Sequence, residues 1–117
     1  RVHFHGFLSN PFSLVKLCDL FLLASKFEGF PNVLIESLVC GVPVVASNCK
    51  GGIREIINPD NGLIADYDSF ESMALKITEA LEIKWDNNLI SNRAKVKYSS
   101  KVISEIYFNA LTKFDDH

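Results

Sequence analysis

A chain of 117 residues, 48% hydrophobic and 22% charged, has the composition of one folded domain and not of a disordered segment. Its net charge of −2 offers no basic surface for nucleic acid or acidic lipid. No apolar run approaches the roughly 20 residues that span a bilayer.

Taken in chain order, residues 2–5 alternate apolar and polar side chains and end at Gly6, the pattern of a short strand. The start at Arg1 lacks the regions of a signal peptide and reads as a cut inside a longer protein. Asn10 and Pro11 open a helix, Asn10 as N-cap and Pro11 at the first helical position, with Leu14, Val15, Leu17 and Cys18 as its apolar face. Residues 19–25 contain a near-continuous apolar run, which suits a strand buried on both faces. A helix follows from about Pro31 to Cys40, stopped by Gly41 and Pro43. Residues 44–47 form a second buried strand, 48–52 a glycine-containing turn and 53–57 a short helix. Residues 58–62 are a turn cluster and 63–65 a third strand. Residues 69–82 are helical, with Phe70, Met73, Ala74, Ile77, Ala80 and Leu81 on the apolar face. The remainder, about 87–114, reads as two helical pieces broken at Tyr98, Ser99 and Ser100.

Strands alternating with helices predict an α/β class: a doubly wound parallel sheet, helices on both faces, right-handed crossovers and a helical C-terminus. Ligands of such sheets bind beyond the carboxyl ends of the strands. Three turns fall there, at residues 6–11, 25–32 and 47–52. The second holds the most informative segment of the chain, Glu28-Gly29-Phe30-Pro31-Asn32-Val33-Leu34-Ile35-Glu36. One carboxylate precedes a helix N-terminus and another lies beyond its first turn. The free N–H groups and dipole of that terminus favour an anion such as phosphate. The flanking carboxylates can accept bonds from sugar hydroxyls.

These residues resemble a known family. Ser25 with Glu28 through Glu36, then Cys40-Gly41-Val42-Pro43-Val44-Val45-Ala46-Ser47, then Gly51-Gly52-Ile53-Arg54-Glu55-Ile56-Ile57 and Asn61-Gly62-Leu63-Ile64 are similar to the C-terminal domain of retaining family-four nucleotide-sugar glycosyltransferases of GT-B architecture. The ordered set is specific where a lone pair of glutamates is not. The resemblance implies two Rossmann-like domains around a cleft, this one holding a UDP-, GDP- or ADP-sugar. It implies that Glu28 contacts hydroxyls of the transferred sugar, as the candidate catalytic residue. Gly29, Phe30 and Asn32 would offer backbone groups to that sugar, Val33 and Leu34 N–H bonds to the diphosphate, and Glu36 a carboxylate to the ribose. Gly6 and Phe7 would line the base pocket. The acceptor is expected to be a glycan or a lipid-linked sugar, as in transferases that extend bacterial surface oligosaccharides.

The family also uses an Arg and a Lys from a unit that has no match here, and an acceptor domain. Both are expected ahead of Arg1, so residues 1–117 alone are expected to be inactive. Where the family often has Glu-Ala-x-Ala, this chain has Glu36-Ser37-Leu38-Val39, bulkier at the fourth place. No cofactor and no metal are expected: His3 and His5 lack a third ligand nearby in sequence. Cys18, Cys40 and Cys49 are an odd count without metal-type pairing; they read as small apolar residues in a reducing cytoplasm. Peripheral contact with the inner membrane face would fall to the absent half. Gly51 and Gly52 read as a plain turn, Arg54 and Glu55 as helix-start charges, and Tyr107 and Phe108 as packing residues. Two other readings share the fold: a non-catalytic nucleotide-binding or interaction module, and a two-domain sugar-nucleotide epimerase.

Overall fold

The computed structural model describes residues 1–26, 29, 31–98 and 104. Three parallel strands form one sheet in the order β1 (Phe21–Leu23), β2 (Val44–Ser47), β3 (Gly62–Ala65). Val44 pairs with Phe21 on one side and with Gly62 on the other. Five helices accompany them among the described residues: α1 (Phe12–Val15), α2 (Asn32–Val39), α3 (Ile53–Ile56), α4 (Phe70–Glu82) and α5 (Asn87–Lys97).

Alternation along the strands divides the sheet into two faces. Phe21, Leu23, Val44, Ala46 and Ile64 share one face and join a core with Leu34, Ile35 and Leu38 of α2, Ile53 and Ile56 of α3, and Ile90 and Ala94 of α5. Val45 and Ala65, both fully buried, lie on the other face, where α4 packs on β2 and β3. The architecture is therefore α/β with helices on both faces of a parallel sheet.

Two glycines set the spacing. A Cβ at Gly62 would run into the carbonyl oxygen of Val44, so the approach of β3 to β2 admits no side chain there. Gly41 ends α2 in the left-handed region at φ 80°. Its N–H donates to the Leu38 carbonyl at 2.9 Å, and the Val42 N–H donates to that of Ser37 at 3.0 Å, the paired bonds of a Schellman cap. Asn87 Nδ2 then donates to the Gly41 carbonyl at 2.8 Å, and Ser91 Oγ to that of Val39 at 2.7 Å. The N-terminal half of α5 is thereby fixed to the C-terminal end of α2.

Several expectations need correction. Residues 2–5 form no strand: among the described residues β1 pairs only with β2, and Val2 and Phe4 stand exposed. Without a neighbouring ladder, alternation alone cannot hold a strand. β1 is not buried on both faces, because α4 stops over β2 and leaves Leu22 47% exposed. The α1 face is shallow: none of its residues is buried, and Leu17 and Cys18 beyond it are exposed. Pro11 has helical dihedrals and its carbonyl accepts from Leu14 and Val15, but the Asn10 side chain makes no cap bond. On α4 the covered stripe is narrow: of the expected apolar face Met73, Ile77 and Ala80 are wholly or partly buried, while Phe70, Ala74 and Leu81 are exposed. α5 ends at Tyr98 as the break predicts; the second helical piece, with Tyr107 and Phe108, lies outside the described residues.

Candidate functional site

α2 begins at the carboxyl end of the sheet, directly after the turn that leaves β1. Pro31 precedes it with non-helical dihedrals, has no side chain able to cap, and no acidic residue occupies the first turn. Within its first turn, the positive end of this helix therefore has no counter-charge. The Leu34 N–H donates to the Pro31 carbonyl at 3.0 Å, while the Val33 N–H finds no acceptor among the described residues. Of the two amides assigned to a diphosphate, Leu34 is engaged and Val33 has no acceptor among the described residues; the Leu34 side chain is fully buried in the core.

Glu36 stands three residues after Val33 and four after Asn32, so the three share a face, with Glu36 about 6 Å along the axis from Asn32. It is half-buried, and no hydrogen-bond or ion-pair partner meets its carboxylate among the described residues. Partial burial pushes its carboxyl above the usual range, since desolvation disfavours the charged form. Asn32 adds a second unmet group: its Oδ1 is buried with no hydrogen-bond partner. Such an orphan costs about 1–3 kcal/mol until a donor arrives.

Two hydrogen bonds link the turn ahead of α2 to the one after β2. Ser47 Oγ donates to the Ser25 carbonyl at 2.7 Å, and the Gly52 N–H to the Gly29 carbonyl at 3.4 Å. Arg54 Nε reaches Asn48 Oδ1 at 3.0 Å, which employs the arginine inside its own turn. Gly29, Asn32, Val33 and Glu36 are thus gathered at one sheet end. Gly6 and Phe7 are not brought to them: Phe7 is 97% exposed, and no atom lies within 4 Å of where a Cβ on Gly6 would stand. Glu28 and Phe30 lie outside the described residues. His3 and His5 have ring centroids 6.3 Å apart, and no third ligand joins them among the described residues.

A family model of the glycosyl transferases group 1 matches residues 1–98. The chain belongs to this family. It is 40% identical over 93 residues to the N-acetylgalactosamine-N,N'-diacetylbacillosaminyl-diphospho-undecaprenol 4-alpha-N-acetylgalactosaminyltransferase of Campylobacter jejuni, covering 79% of this chain and 26% of that protein. It is 31% identical over 97 residues to the lipopolysaccharide 1,6-galactosyltransferase of Salmonella typhimurium, covering 77% of this chain and 27% of that protein. Among solved structures, the apo form of the lipopolysaccharide outer core galactosyltransferase WaaB aligns with a TM-score of 0.73 at 25% identity, over 93% of this chain and 32% of that one. These neighbours are GT-B glycosyltransferases, and this chain has part of that fold. It spans about a quarter to a third of the length of the relatives it matches.

One feature of this member of the glycosyl transferases group 1 has no counterpart among the sequence motifs. On the α4 side of the same sheet end lies a cavity of about 160 Å³, lined among others by Ser25, Lys26, Asp66, Tyr67, Asp68 and Phe70. The signal was present as Asp66-Tyr67-Asp68-Ser69-Phe70, acids alternating with aromatics directly after β3, but a turn after the third strand carried no motif.

Proposed function

We propose that this chain is the donor-binding part of a retaining glycosyltransferase that moves a hexosyl group from a nucleotide-diphosphate sugar to a hydroxyl of a glycan or lipid-linked acceptor. The observation that carries the reading is that, among the described residues, the Glu36 carboxylate and the Val33 N–H have no partner and the α2 N-terminus they flank has no side-chain cap. A pyrophosphate meets the positive helix end, and the nucleoside sugar donates its hydroxyls to Glu36. A hydroxyl donor from the same ligand satisfies Asn32 Oδ1. Glu28, with Gly29 and Phe30 beside it, takes the hydroxyls of the transferred sugar. Gly6 and Phe7 reach the base only if residues 1–10 fold against the ligand.

Charge grows on the leaving phosphate during transfer, and donors already aimed at it lower the barrier. The α2 terminus supplies part of this; an Arg and a Lys from outside these residues supply the rest, and no metal enters the scheme. The C. jejuni and S. typhimurium relatives carry the names of an undecaprenol-diphosphate-linked and a lipopolysaccharide acceptor. An acceptor of that kind would have the reaction run at a membrane surface, on its cytoplasmic side in this reading. No helix among the described residues is long and apolar enough to cross a membrane.

Calorimetric titration with UDP, GDP and ADP tests the reading. One nucleotide should bind, and Glu36→Ala should abolish its heat. A folded chain that takes up none of the three is an interaction module instead.

A further inference from the structure

We propose that the cavity between β3 and α4 is a subsite for a neutral sugar unit of the acceptor, an assignment that rests on the glycosyltransferase reading. The cavity opens beyond the carboxyl ends of all three strands: Ala24 and Ser25 follow β1, Ser47 ends β2 and Asp66 follows β3. Ser25 and Lys26 also belong to the turn that leads into α2, so the cavity adjoins the donor side. Its volume of about 160 Å³ suits one small ring and not a nucleotide.

The lining selects by chemistry. Among the described lining residues one cation, Lys26, stands with two carboxylates, Asp66 and Asp68, and Lys26 Nζ is 4.0 Å from Asp68. That balance repels a diphosphate and leaves donors and acceptors of both kinds for hydroxyls. Beyond the backbone N–H of Asp66, which donates to Ser72 Oγ at 2.8 Å, the Asp66 carboxylate and the Tyr67 hydroxyl have no hydrogen-bond partner among the described residues. Two rings stand at the rim, Tyr67 at 52% exposure and Phe70 at 88%. Exposed aromatic faces beside carboxylates match a sugar ring, whose C–H face is apolar and whose edge is polar. Asp68 holds φ 54°, which fixes the direction of the loop that carries these groups.

The test is amide chemical-shift mapping by NMR on this chain, with methyl α-galactopyranoside and methyl N-acetyl-α-galactosaminide as probes. Shifts should concentrate at residues 66–70. Phe70→Ala and Tyr67→Ala remove exposed rings and should each weaken the affinity about fivefold to tenfold. Asp68→Gly keeps a backbone that tolerates positive φ and should weaken it as well. Glu36→Ala should leave these shifts intact while removing nucleotide binding, so the two assignments fail separately. Sugar shifts centred on Asn32–Glu36, shifts untouched by Phe70→Ala, or no shifts with either probe would each overturn the proposal.

Discussion

Glu36 is half-buried and has no partner among the described residues, and its behaviour with pH follows from that. Its carboxyl is raised above the ordinary value in the folded chain, so the folded state holds the proton longer than the unfolded state does. Stability from this group is full below the unfolded value and is lost as pH rises through the folded one. Glu36→Gln removes the ionisation, so the variant should unfold at the same or slightly higher temperature than the native chain at neutral pH. Nucleotide binding acts the other way. Hydroxyls donated to Glu36 favour the carboxylate, lower its pKa and expel a proton. Binding should therefore tighten as pH rises through the raised value, and calorimetry in buffers of different ionisation heat should register proton release that Glu36→Gln abolishes. Uptake of protons, or release that persists in the variant, would remove Glu36 from the ligand.

Among the elements, the joint between α2 and α5 is the most exacting. Gly41→Ala demands a left-handed Ala, at about 1–2 kcal/mol. It also sets a Cβ 2.8 Å from the Asn87 carbonyl oxygen, which backbone must yield to relieve. Together these should cost about 3 kcal/mol and lower the melting temperature by about 10 °C in a thermal scan. Asn87→Ala, which loses one bond to the Gly41 carbonyl, should cost only about 1 kcal/mol. Gly41 shows why α2 was readable: a stop residue, a following proline and an apolar run all act within a few residues of one another. β2 was readable for a similar reason, since Val44-Val45-Ala46 has no polar side chain to spare for solvent. Residues 2–5 were not, because a strand exists only through its neighbour, and alternation says nothing of whether one is present. Phe70 and Leu81 misled for the complementary reason. A helical period marks a broad apolar face, but the width used depends on the sheet beneath. The same locality governs the site: the spacing of Asn32, Val33 and Glu36 on one helix could be read from sequence. The cavity after β3 could not, since Lys26 and Asp68 are 42 positions apart and meet only through the fold.

At the scale of the whole molecule, membership of the glycosyl transferases group 1 joins this chain to proteins several times its length. Its own sheet nonetheless ends in two turns tied to each other by hydrogen bonds. A nucleotide that binds the folded chain and not the unfolded one must raise the melting temperature. Saturation at a hundred times the dissociation constant contributes about 2.7 kcal/mol. Thermal scans with UDP, GDP and ADP should thus rank the bases directly, and a nucleotide that binds calorimetrically without any thermal shift would mean that it also recognises the unfolded chain. The bonds from Asn87 and Ser91 grip α2 only at its far end. Its near end is held by the Pro31 turn, whose own tether runs through Gly29 to Gly52. Among the described residues the two ends of α2 are thus held unequally, the heel by two short side-chain bonds and the toe by one backbone bond of 3.4 Å in the turn ahead of it.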